Sequence, residues 1–72
     1  MIIEYDKDDL KQTFRVDERK LSHVRIVAPT ENDCHVIIWY TPNCHEGIIV
    51  FDGDTETGQS IYQRLSEKLK TY

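Results

Sequence analysis

The sequence predicts a small α+β domain, in which an antiparallel meander of three to five strands carries one C-terminal amphipathic helix on one face. Runs of β-branched residues separated by turn-forming residues fill the middle of the chain. After residue 54 the apolar residues recur about every four positions, which is the helical period. The 72 residues are enough for one domain, 1–72, with a small core.

The N-terminal third carries the weaker strand signals. Residues 1–5 have a strand-like composition and lead into a charged turn. The alternation that follows predicts a second strand over 12–16, with Phe14 and Val16 facing inward. The charged run 17–20 is predicted to be a solvated connection.

The middle of the chain predicts three consecutive antiparallel strands. Turns at 29–33 and 42–46 separate them, because both segments are rich in Pro, Asn and other turn-forming residues. The strands themselves are predicted at 23–28, 34–41 and 47–51.

These turn lengths predict which residues face each other across the strands. Val24 should oppose Ile38, Ile26 should oppose Val36, and Ile38 should in turn oppose Val50. Both turns then give one almost wholly apolar face, which supports the registers. This predicted first face comprises Val24, Ile26, Ala28, Cys34, Val36, Ile38, Tyr40, Ile48 and Val50.

The C-terminal helix is predicted to cover that first face with its apolar stripe of Ile61, Leu65 and Leu69. Its N-cap is predicted at Asp54 or Thr55, because a short side-chain oxygen accepts hydrogen bonds from unpaired first-turn N–H groups. Gly58 costs up to about 1 kcal/mol inside a helix. Close approach of the helix backbone to the sheet would compensate for it, and simple tolerance of the glycine is the alternative.

The opposite, second face of the meander is predicted to need a cover of its own. Three covers are possible: the N-terminal segment, a second copy of the chain, or a different protein. Because large exposed apolar patches usually mark contact sites, an intermolecular cover is favoured. The predicted second face comprises His23, Arg25, Val27, His35, Ile37, Trp39, Thr41, Ile49 and Phe51, and its candidate protein-interaction residues are Arg25, Ile37, Trp39, Ile49 and Phe51.

Two Cys-His pairs, at 34–35 and 44–45, raise the question of a metal site. The predicted strand between them separates the sulfurs by more than about 20 Å, too far for a disulfide or for shared zinc coordination. Cys34 is therefore predicted to be a small buried apolar residue. A thiol at Cys44 activated by His45 is disfavoured, because adjacent residues on an extended path point to opposite sides.

Motifs and composition narrow the functional classes. The sequence contains no nucleophile elbow, zinc-protease motif, phosphate-binding glycine loop or paired CxxC, so we predict no enzyme activity, no cofactor and no metal. The net charge of -4 disfavours binding to a nucleic-acid backbone. With no long apolar segment and two cysteines, the expected location is the cytoplasm, away from membranes.

Three functions from different classes remain. The first is a protein-interaction or regulatory module that self-associates as a homodimer through the second face or the edge strands. The second is an acidic inhibitor, of the kind that phages encode, whose carboxylates imitate nucleic acid and block a nucleic-acid-processing enzyme. The third and weakest is a single-strand binder that stacks bases on Trp39 and Phe51 beside Arg25. The acidic clusters of the second hypothesis are Asp6, Asp8 and Asp9; Asp17 and Glu18; and Asp52, Asp54 and Glu56.

Overall fold

The computed structural model of the protein describes residues 1–42 and 45–70 and confirms the small α+β fold. Five antiparallel strands form two sheets: β1 and β2 pair as a hairpin, and β3, β4 and β5 pair in that order as a meander. The elements are β1 (Ile2–Lys7), β2 (Leu10–Arg15), β3 (Leu21–Val27), β4 (Asp33–Tyr40), β5 (Ile48–Asp54) and α1 (Thr55–Lys70).

The N-terminal hairpin closes through a two-residue turn at Asp8 and Asp9. Both residues have positive φ, 53° and 63°, and Lys7 pairs directly with Leu10 across the turn. Mirror-image turns of this kind match the right-handed twist of the strands, and aspartate tolerates the left-handed region better than most residues do. β1 and β2 confirm the two strands predicted in the N-terminal third.

The register predicted between β3 and β4 is confirmed. Val24 faces Ile38 and Ile26 faces Val36. The turn between the strands is held by Thr30, whose Oγ1 accepts a hydrogen bond from the backbone N–H of Asp33 at 3.0 Å.

The register predicted between β4 and β5 is wrong. Ile38 faces Ile48 rather than Val50, a shift of two residues that leaves the faces unchanged. A bulge then intervenes, because Ile37 faces Ile49 whereas the preceding Val36 faces Phe51. Val50 is the extra residue of the bulge, and beyond it the two faces of β5 are exchanged.

The bulge moves Phe51 from the predicted second face into the core, where only 2% of it is exposed. Unbroken alternation after Val50 would have turned the carboxylate of Asp52 toward the apolar core, whereas the bulge turns Phe51 inward and Asp52 outward. The ring of Phe51 lies edge-to-face with that of Tyr5, with centroids 4.7 Å apart. The side chain thus joins the hairpin to the meander.

Helix α1 and the N-terminal hairpin contribute to one core, on the first face of the meander. The predicted packing of the helix on this face is confirmed, because Ile61 and Leu65 belong to the same buried cluster as Val36 and Ile38. The buried core comprises Ile3, Val16, Leu21, Cys34, Val36, Ile38, Val50, Phe51, Ile61 and Leu65.

The start of α1 is capped as predicted. Asp54 Oδ2 accepts hydrogen bonds from the backbone N–H of Thr57 at 2.9 Å and from its hydroxyl at 2.8 Å. These bonds stabilise the ionised carboxylate and hold the pKa of Asp54 below its ordinary value.

Within the described residues, no helix is both long and apolar enough to span a bilayer.

Gly58 lies where the helix backbone is close to side chains of the sheet. A Cβ placed on it would overlap the sulfur of Cys34 and lie 3.2 Å from the Phe51 ring. Of the two predicted explanations, close approach of the helix to the sheet is therefore the one that accounts for a glycine inside the helix.

Candidate interaction surface

The second face of the meander, with the side chains of the bulged β5 in their observed places, is the candidate site. Cross-strand pairing arranges it in rows, because antiparallel partners point to the same side of a sheet. The three rows are Val27, His35 and Asp52; Arg25, Ile37 and Ile49; and His23 with Trp39.

The apolar side chains of this face are partly open to solvent. Ile49 is 55% exposed and Val27 is 41% exposed, whereas Ile37 and Trp39 are half-buried. Gly47 accounts for part of that burial, since a Cβ on it would lie 2.6 Å from Ile37 Cγ2 and 3.0 Å from Trp39 Cζ2. The backbone before β5 thus folds against the middle of the face.

Four of the five predicted interaction residues come together on this face: Arg25, Ile37, Trp39 and Ile49. Phe51 does not, because the bulge places it in the core. The N-terminal hairpin contributes Ile3 and Val16 to the core on the opposite side of the meander, so in the described part of the chain it does not serve as the cover of the second face.

The β3 side of the face is basic. A groove of about 360 Å³ runs beside Trp39, and His23, Val24 and Arg25 are the other described residues that line it. Arg25 is exposed and makes no ion pair with any residue that the structure describes. The guanidinium is therefore available to an anion from outside this chain.

The β5 side of the face is acidic at Asp52. Lys7 Nζ donates a hydrogen bond to Asp52 Oδ2, and His35 Nδ1 lies 3.2 Å from Asp52 Oδ1. The bond to Lys7 lowers the pKa of Asp52 and raises that of Lys7. Asp52 is therefore ionised at neutral pH, and its side chain is 37% exposed.

A second feature, an acidic groove of about 700 Å³, lies where the hairpin meets the end of β5. Lys7 and His35 are the basic residues of its described lining. The groove draws on two of the three acidic clusters noted in the sequence, whereas Asp17 and Glu18 line a separate groove with Arg15 and Arg19. Five carboxylates line the acidic groove: Glu4, Asp6, Asp33, Asp52 and Asp54.

The cysteines contribute no site in the described chain. Cys34 is fully buried, as predicted, and its thiol lies 3.6 Å from the carbonyl oxygen of Asp54. Burial raises the pKa of this thiol. Cys44 lies outside the described residues, and among those residues no group of three or more His, Cys, Asp or Glu side chains could hold a metal ion.

Comparison with protein-family models, curated proteins and solved structures gave no match.

Sequence reasoning missed Asp52 as a member of the second face. The available signal was that regular alternation along β5 would have buried this carboxylate, which is unfavourable without a partner. A bulge before Asp52 turns this carboxylate outward, and the same bulge turns Phe51 toward the core.

Proposed function

We propose that the protein is a non-enzymatic interaction module that self-associates through its second face. The supporting observation is the cluster of Ile37, Trp39 and Ile49 on a face that the helix and hairpin, in the described chain, leave open. Tryptophan and arginine are the residues that most often dominate the energy of protein contacts, and Arg25 borders this cluster.

The size of the face sets the expected strength of the contact. Three strands about 4.8 Å apart, carrying three rows about 7 Å apart of which β5 enters two, give a patch of at most about 10 by 14 Å between Cα atoms. A standard interface takes about 800 Å² from each partner, more than this patch supplies without its flanking turn. We therefore expect a weak, reversible dimer with a dissociation constant in the micromolar range.

Sedimentation velocity of Ile49→Asp tests this function. Ile49 is exposed, so the substitution should leave the fold intact while placing a charge in the contact, and it should shift the weight-average mass toward the monomer at concentrations where the wild type associates. Ile2→Asp is the matched control, because Ile2 is 49% exposed but lies on the hairpin. Equal association of the wild type and Ile49→Asp would contradict the proposal.

The acidic groove favours a second candidate function, imitation of nucleic acid by an inhibitor. Its carboxylates come from separate parts of the sequence and converge on one groove. Such a protein would bind the basic cleft of a nuclease or polymerase, and affinity would fall steeply as salt screens the charges.

Inhibition of a panel of basic nucleases at increasing salt tests this alternative. Asp6→Asn and Asp33→Asn together should weaken any inhibition, whereas Ile49→Asp should leave it unchanged. Salt-independent inhibition, or equal inhibition by the double variant, would contradict the mimicry.

The hypothesis of single-strand binding loses one of its two stacking platforms, since Phe51 is buried.

A further inference from the structure

We infer that the occupant of the second face is a second copy of this chain, related by a two-fold axis that runs along β4. This inference rests on the proposed function and adds the partner and its orientation. The argument starts from the distribution of charge, because the face carries Arg25 on its β3 side and Asp52 on its β5 side.

A face with opposite charges on its two sides is self-complementary for one orientation of the two-fold axis. Facing sheets pack about 10 Å apart with their strands roughly aligned. An axis parallel to the strands then places β3 of one copy over β5 of the other and keeps each row at the same height. An axis perpendicular to the strands would place β3 over β3 and bring the two Arg25 side chains together, which like charges disfavour.

The favoured orientation gives each exposed group of the middle row a partner. The aliphatic stem of Arg25 covers Ile49 of the second copy, which is the most exposed apolar residue of the face. Its guanidinium then reaches toward Asp52 of the second copy, one row along the strand, a span of about 7 Å. Two such pairs form, one on each side of the axis, because a two-fold contact is isologous.

The centre of the contact is apolar in this arrangement. Residues of β4 lie on the axis, so Ile37 meets Ile37 and Trp39 meets Trp39 of the second copy. Each Asp52 remains paired with its own Lys7, and Arg25 adds the cation that the exposed part of the carboxylate can still accept. The contact thus joins Arg25 of one copy, which has no ion-pair partner among the described residues, to an ionised, partly exposed carboxylate of the other.

Two charge-reversed variants test the orientation. In Arg25→Asp, each aspartate at 25 would face Asp52 of the other copy, and in Asp52→Arg, each arginine at 52 would face Arg25. Either variant alone should raise the dimer dissociation constant by about tenfold or more. When the two are mixed, both pairs of the heterodimer are attractive again, so the mixture should associate within about threefold of the wild type. Arg64→Asp, the same charge change on the exposed surface of α1, is the control and should associate normally.

Sedimentation of each variant alone and of the equimolar mixture gives the result, with circular dichroism confirming that all variants are folded. If the wild type dimerises and Ile49→Asp dissociates it, but the mixture stays monomeric, the proposed function stands and this orientation is wrong. If the wild type is monomeric throughout the micromolar range, both are wrong. Recovery of association only in the mixture supports the inferred two-fold contact.

Discussion

Replacement of Gly58 by alanine is expected to lower the free energy of unfolding by about 2–3 kcal/mol, although helix propensity alone would raise it by up to about 1 kcal/mol. The added Cβ would overlap the Cys34 sulfur and press on the Phe51 ring. Both neighbours are fully enclosed in the core, so neither can move aside cheaply. Urea denaturation followed by circular dichroism measures the change.

The double variant Gly58→Ala with Cys34→Ala separates the steric cause from a general loss of helix stability. Removing the sulfur creates the space that the new Cβ needs, so the double variant should be more stable than the sum of the two single changes by about 1–3 kcal/mol. Ser60→Ala, an exposed substitution on the same helix, is the control and should change stability by less than about 0.5 kcal/mol. If Gly58→Ala stabilised the protein, the close approach of helix and sheet would be disproved.

Truncation of Phe51 to alanine is expected to cost about 3–5 kcal/mol, the usual range for a phenylalanine enclosed in a core. Phe51 is 2% exposed and contacts Tyr5, so its loss also loosens the attachment of the hairpin. A domain of this length has a total stability of only about 4–11 kcal/mol, so the variant is expected to lose a large part of it.

Comparison with Ile49 turns this expectation into a test of the bulge. Ile49→Ala should cost less than about 0.5–1 kcal/mol, because that side chain is 55% exposed. Phe51→Leu, with a smaller expected loss, keeps the comparison measurable if the alanine variant does not fold. Equal, small effects at both positions would show that Phe51 lies outside with Ile49, as the unbulged register would have it.

The elements of the fold could be read from local sequence because each has a local physical cause. The helix follows from the recurrence of Ile61 and Leu65 on one stripe, and its first turn from the capping carboxylate of Asp54. The register of β3 and β4 follows from the length of one turn and from two apolar faces that agree.

The register of β5 is only partly local: the carboxylate of Asp52 indicates a bulge, but the space that receives Phe51 is formed by distant parts of the chain. Tyr5 and Gly58 provide the space into which the Phe51 ring fits, and they lie on the hairpin and the helix. Strand alternation contains no information about such space. The predicted composition of the second face was therefore correct for Arg25 and Ile49 and wrong for Phe51.

The N-terminal hairpin likewise has features that local sequence predicts and a feature that it does not. Its strands and turn are local, and the sequence indicates both. Its attachment to the core through Ile3 and Val16 depends on tertiary packing. The sequence left open whether this segment would cover the second face instead.

Nuclear magnetic resonance of the ¹⁵N-labelled wild type during serial dilution tests the central claim most directly. We expect concentration-dependent shifts of the Trp39 indole N–H and of the backbone amides of Arg25, Ile37 and Ile49, with the outer surface of α1 unchanged. Shifts confined to the hairpin or the helix, or an indole signal that does not move with concentration, would contradict association through the second face.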